Sequence, residues 1–133
     1  MKNEELKTIA ESLIDTTEKA GKKTIELHEM GLKIIKKPDE SPVTNGDLEV
    51  DKMLKEKIKK LTPNIPIISE ESVDLKIKNT LKTYWLLDPI DGTKEYISGK
   101  DVYTLNAGLI IDCLPSLGII GVPKKNRLFY SYG

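Results

Sequence analysis

Apolar residues near the start of the chain recur on one helical stripe. Leu6, Ile9, Ala10, Leu13 and Ile14 fall at spacings of three, four and one, and the stripe resumes at Ile25 and Leu27. This predicts an amphipathic helix from Asn3 to about Met30, with Gly21 a candidate interruption. A short strand follows at residues 32–35, ended by Pro38 and the polar residues up to Pro42. Thr44-Asn45-Gly46-Asp47 then opens a second helix whose Val50, Met53, Leu54, Ile58 and Leu61 share a face, and Pro63 stops it. Beyond it the pattern changes to short β-branched runs. Residues 65–69 read as a strand ending at Glu70-Glu71, and residues 83–87 as another ending at Asp88-Pro89. The charged stretch between them, 72–81, reads as an exposed loop with some helix. Three further strands are expected at Thr104–Ile111, 116–122 and Arg127–Tyr132, joined by connections short enough for antiparallel hairpins. The predicted fold class is α+β, two helices packed on an antiparallel sheet.

The length of 133 residues fits one domain, and 38% hydrophobic with 32% charged residues fits a globular one. Lysine plus arginine and aspartate plus glutamate each number 21, so the formal charge is zero. That disfavours a polymeric nucleic acid as partner and leaves a nucleotide open. Cys113 is the only cysteine, which excludes an intrachain disulfide and a cysteine-rich metal site. The start, Met-Lys-Asn-Glu-Glu, does not have the form of a signal peptide. No apolar run approaches the roughly 20 residues of a membrane span, so the expected compartment is the cytoplasm. The last predicted strand runs straight into Gly133, which suggests a truncated chain; the oligomeric state is left open.

The chemistry concentrates at Asp88-Pro89-Ile90-Asp91-Gly92-Thr93. A hydrophobic strand delivers Asp88 to its end, where Pro89 is expected to stop ladder pairing. Two carboxylates three residues apart on a tight loop can converge on a cation, with the Ile90 carbonyl as a third oxygen. Hard oxygen donors without histidine or cysteine suit Mg²⁺ completed by water and phosphate. Gly92 would admit a phosphate close to the backbone, and its N–H and that of Thr93 could donate to phosphate oxygens. The same residues are also good turn formers. Glu70 and Glu71 end the preceding strand. If both strands share a sheet, Glu70 joins Asp88 and Asp91 and the three acids could hold two metal ions; otherwise the pair simply starts a solvated loop. Thr44 and Asp47 have the spacing of a capping box, the better local reading. The alternative places Asp47 toward the metal cluster, polarising water together with the Thr93 hydroxyl. His28 reads as structural, Trp85 as core, and Lys36-Lys37 and Lys124-Lys125 as solvated charges. Cys113 lies in a turn with nothing beside it to activate the thiol.

The run Trp85-Leu86-Leu87-Asp88-Pro89-Ile90-Asp91-Gly92-Thr93 resembles the metal signature of the inositol monophosphatase superfamily. Five fixed letters in six would arise by chance in a chain this long on the order of once in tens of thousands. Within that superfamily the chain is most similar to the CysQ-type 3′(2′),5′-bisphosphate nucleotidases. The features are Ser41-Pro42-Val43-Thr44 with Asp47, Leu61-Thr62-Pro63 before Ile65-Pro66, Ser69-Glu70-Glu71, Lys94-Glu95-Tyr96 and Thr104-Leu105-Asn106. The resemblance implies the first half of a layered αβαβα sandwich. It also implies carboxylate metal ligands at Glu70, Asp88 and Asp91, and a carbonyl ligand at Ile90. Gly92 and Thr93 would hold the scissile phosphate, with Glu70, Ile90 and Asp91 also at the substrate. Asp47 with Thr93 would activate water, and Glu71 would support the ligands. The implied reaction is Mg²⁺-dependent removal of the 3′-phosphate of adenosine 3′,5′-bisphosphate. An inositol or sugar monophosphatase, or an inactive metal- or nucleotide-binding fragment, are the alternatives. Members of the superfamily carry a further metal-binding aspartate in a Trp-Asp motif of a second domain; no such motif occurs here, where Trp85 is the sole tryptophan.

Overall fold

The computed structural model describes residues 1–69 and 81–133; Glu70, Glu71 and the rest of the stretch to 80 lie outside the described residues. The elements in chain order are α1 (Asn3–Met30), β1 (Ile34–Lys36), β2 (Pro42–Thr44), α2 (Asn45–Leu61), β3 (Ile67–Ser69), β4 (Tyr84–Asp91), α3 (Thr93–Ile97), β5 (Thr104–Ile111), β6 (Leu114–Val122) and β7 (Arg127–Tyr132). Among the described residues no helix is long and apolar enough to cross a membrane.

The two long helices follow their stripes. α1 buries Leu6, Ile9, Ala10, Leu13 and Ala20, and α2 buries Val50, Leu54 and Ile58. α1 is not interrupted at Gly21. That residue is buried where the helix passes closest to the Pro123 ring, in the turn between β6 and β7. β1 and β2 pair antiparallel as a separate ribbon, Ile35 opposite Val43. β2 was not apparent in the hydrophobic pattern, because Pro42-Val43-Thr44 is too short and too polar to register.

The main sheet has the order β3-β4-β5-β6-β7. From β4 to β7 neighbours are antiparallel, but β3 lies parallel to β4, with Ile67 opposite Trp85 and Ser69 opposite Leu87. The sheet is therefore mixed, not antiparallel throughout. Periodicity carries no strand direction. A parallel neighbour needs a crossover of about a dozen residues or more, and the chain between β3 and β4 is long enough to make one. Asp112 and Cys113 alone form the β5–β6 turn, both at positive φ (48° and 66°), the backbone of a two-residue hairpin whose twist matches its strands. β6 thus starts at Leu114, two residues earlier than the pattern implied.

Trp85, Leu87, Leu105, Ala107, Leu109, Leu117 and Ile119 project from the sheet toward α1 and α2 and form one core with the helix stripes. Trp85 is fully buried, and its indole Nε1–H donates to Thr62 Oγ1 at 3.0 Å, so its polar edge is satisfied. The opposite face of the sheet is different. Leu86, Ile120 and Phe129 there are 36%, 43% and 55% exposed, around a shallow, mostly apolar depression.

Candidate active site

β4 alternates faces normally up to Asp88: Trp85 and Leu87 point into the core while Leu86 faces out. Residues three apart on a regular strand point to opposite faces, so Asp88 and Asp91 would be separated. The register prevents this. Asp88 pairs with Asn106 and Asp91 with Thr104, so three steps on β4 match two on β5. The extra residue is a β-bulge at Pro89-Ile90, where proline's missing N–H breaks no regular ladder bond. Pro89 and Ile90 are both buried, and the phase shift leaves Asp91 exposed on the same concavity as Asp88. Pro89 therefore does not end the strand, as expected from sequence; it forms the bulge that aligns the two acids.

Gly92 follows at φ 89°, ψ 44°, a left-handed conformation that turns β4 abruptly into α3 and that glycine adopts without strain. The Tyr96 N–H closes this turn on the Gly92 carbonyl at 2.9 Å. The short helix α3, absent from the sequence expectations, places Thr93 beside the first turn of α2.

Asp47 makes the capping contact that its spacing from Thr44 implied and also touches Thr93, without itself facing the pocket. Its Oδ2 accepts from the Thr44 N–H at 2.8 Å and from Thr44 Oγ1 at 2.5 Å, and its own N–H donates to Thr44 Oγ1, completing a capping box at the start of α2. Its Oδ1 accepts from the Thr93 hydroxyl at 2.8 Å. Asp47 is fully buried and is not among the residues lining the pocket, so it reaches the site only through Thr93. The Thr93 hydroxyl proton is committed to that carboxylate, leaving its oxygen as an acceptor.

Behind α3 a buried phenol pair fixes the helix. Tyr96 Oη donates to the Thr24 carbonyl at 2.6 Å. Thr24 Oγ1 donates to the Gly21 carbonyl at 2.6 Å, so Tyr103 Oη, 2.8 Å from Thr24 Oγ1, is the donor there. The two rings pack at an interplanar angle of 56° with centroids 4.7 Å apart. Burial pushes both hydroxyls above the usual tyrosine range. His28 lies against Tyr96, and its Nε2 is 3.3 Å from the Ile97 carbonyl, which accords with a structural role.

The pocket that these elements enclose measures about 420 Å³ and is lined by Asp88, Ile90, Asp91, Gly92 and Thr93, together with Lys37, Ser41, Pro42, Lys94 and Glu95. Lys37, expected as a solvated charge, is carried by the β1–β2 connection to the pocket wall, a placement that the doublet Lys36-Lys37 gave no means of foreseeing. Glu95 was a feature of the resemblance but not a candidate ligand. Its position one turn after Asp91 on a helix that sequence did not reveal brings it to the same pocket. Among the described residues no three acidic, histidine or cysteine side chains form a preassembled metal cluster. The third expected acid, Glu70, and its neighbour Glu71 lie outside the described residues. The donors present, two carboxylates with the Ile90 backbone on one wall, fit a hard divalent cation and offer nothing to a soft one.

Curated proteins are similar to this sequence over part of their length. The chain is 34% identical over 125 residues to the 3′(2′),5′-bisphosphate nucleotidase CysQ of Aggregatibacter actinomycetemcomitans, covering 92% of this chain and 46% of that protein. It is 37% identical over 97 residues to CysQ of Salmonella typhimurium, covering 72% and 39%. A solved IMPase/NADP phosphatase complexed with Mg²⁺ and phosphate superposes with a TM-score of 0.82 at 19% identity, over 96% of this chain and 48% of that one. The chain spans less than half the length of each. The profile of the inositol monophosphatase family matches residues 2–133, well beyond the short acidic motif. Sequence and fold agree over the same span, and the chain belongs to the inositol monophosphatase family.

Proposed function

We propose that this chain forms the metal-binding, water-orienting wall of a Mg²⁺-dependent phosphatase that removes the 3′-phosphate of adenosine 3′,5′-bisphosphate, giving AMP and phosphate. The observation that carries this reading is the Thr93–Asp47 hydrogen bond at the edge of the pocket that Asp88 and Asp91 also line. The nucleotidase names of the curated relatives support the substrate, and the phosphate and Mg²⁺ in the superposed enzyme support the chemistry.

Asp88, Asp91, the Ile90 carbonyl and Glu70 would hold the cation. When bound, it supplies positive charge to the phosphoryl oxygens and lowers the pKa of a neighbouring water. Thr93 accepts a hydrogen bond from that water and passes its own proton toward Asp47, aiming a lone pair at phosphorus. Asp47 is suited to this because its other oxygen is anchored by Thr44, so the carboxylate does not swing. Gly92 lets the phosphate approach the backbone, and Lys37 and Lys94 at the rim add positive charge.

Phosphate release from adenosine 3′,5′-bisphosphate and from inositol 1-phosphate, measured with and without Mg²⁺, tests the proposal. Preference for the nucleotide, loss of release under chelation, and loss in Asp91→Asn with an unchanged circular dichroism spectrum are expected. Equal rates on both substrates would overturn the specificity, and a wild-type rate in Asp91→Asn would overturn the ligand set. Because the chain covers under half of each relative, the assay is run on it and on a chain of full family length; activity in neither would favour a binding role.

A further inference from the structure

α3 is five residues long, too short for its own hydrogen bonds to hold it, so its place is set by what its side chains touch. The deepest of these is Tyr96, 1% exposed and three residues after Thr93. Its ring is held by three neighbours. The hydroxyl donates to the Thr24 carbonyl of α1 at 2.6 Å. The ring meets the start of α2, where a Cβ on Gly46, the residue before Asp47, would lie 2.6–2.9 Å from Oη, Cε2 and Cζ. The third neighbour is Tyr103, whose own hydroxyl is 2.8 Å from Thr24 Oγ1. Tyr103 also backs the turn before α3, since a Cβ on Gly92 would lie 3.5 Å from the Tyr103 Cα. The segment from Gly92 to Tyr103 is thus pinned twice to a single residue of α1, Thr24.

Packing alone does not call for these hydroxyls. A buried phenol costs free energy unless its hydroxyl finds a partner, so phenylalanine would fill the same space. What the hydroxyls add is a fixed distance. The Thr93–Asp47 contact joins α3 to α2 at 2.8 Å, and a side-chain hydrogen bond is lost by about 3.6 Å. Thr93 therefore has to stay within less than about 1 Å of its place. The Tyr96 ring touches the backbone next to Asp47 and belongs to the helix that carries Thr93, with α1 as the third support. None of Tyr96, Tyr103 and Thr24 lines the pocket. We infer that Tyr96, with Tyr103 and Thr24 behind it, is a positioning residue for the proposed water-orienting pair, setting the Thr93–Asp47 separation from outside the pocket. This rests on the proposed role of Thr93. A misplacement of about 1 Å can cost about 10²-fold in rate, so loss of one hydroxyl pin, a smaller disturbance, is expected to cost about tenfold.

The test joins a crystal structure of Tyr96→Phe to steady-state phosphate release from adenosine 3′,5′-bisphosphate with Mg²⁺, run on this chain and on one of full family length, with urea unfolding of every variant. The structure is expected to show Thr93 Oγ1 drawn away from Asp47 Oδ1. kcat is expected to fall about tenfold with KM unchanged, because Asp88, Asp91 and Gly92 are untouched. Tyr103→Phe, which removes the second pin, is expected to lower kcat in the same way and takes over the test should Tyr96→Phe not fold. In a Thr93→Ala background the Tyr96→Phe effect should vanish, because there is no hydroxyl left to position. A loss that reappears in full there, an unchanged Thr93–Asp47 distance, or lowered stability with kcat unchanged overturns the positioning role and leaves the functional reading standing. If the wild type releases no phosphate at either length, or if Thr93→Ala keeps the wild-type rate, the functional reading fails and the inference falls with it.

Discussion

At the scale of single residues, the informative atom is the Thr93 hydroxyl. It donates to Asp47 at 2.8 Å and stands 3.3 Å from the Ile90 carbonyl, so it joins the residues proposed to orient water and to bind the metal. Thr93→Ala should reduce turnover by about 10²–10⁴-fold, the range for loss of a positioned proton-transfer group, with KM little changed. Thr93→Ser should recover most of the rate, and steady-state phosphate release measures both. Asp47 was legible as a cap because the Thr44-x-x-Asp47 spacing is local. Its second contact, to a residue 46 positions away, depends on how α2 meets the end of β4 and no local spacing encodes it.

At the scale of elements, sequence periodicity located α1, α2 and the strands of the meander, because each buries one face and leaves the other wet. It did not reveal α3, whose five residues are too few for a 3.6-residue repeat to show. It also missed the bulge in β4, because a one-residue insertion in a strand is defined against its partner and not within its own sequence. The elements meet tightly where α2 begins. A Cβ built on Gly46 would lie 2.6 Å from Tyr96 Oη, on the ring that anchors α3 to Thr24. Gly46→Ala must therefore displace either α3 or the start of α2. It should cost about 1–3 kcal/mol in urea unfolding, the range for an overpacked core, and should lower turnover as Thr93 moves with α3. Unchanged stability and rate would mean that Tyr96 yields freely.

At the scale of the whole molecule, the tyrosine pair couples stability to alkali. Tyr96 and Tyr103 hold their protons above the ordinary value of 10.0 because they are buried. In the unfolded chain the same phenols ionise near 10.0, so above that pH the unfolded state has released protons that the folded state retains. Their contribution to stability is complete below pH 10 and declines as the pH rises past it. The melting temperature should fall beyond that point, with the absorbance of these two phenolates at 295 nm rising only as the chain unfolds. The outward side of the sheet has another consequence. With Leu86, Ile120 and Phe129 accessible, an environment-sensitive dye such as ANS should fluoresce on the intact chain at neutral pH, while near-ultraviolet circular dichroism still reports an immobilised Trp85. Dye uptake, ordinarily a mark of a loosened interior, would here accompany a well-packed one, so screening by fluorescence alone would discard a correctly folded protein.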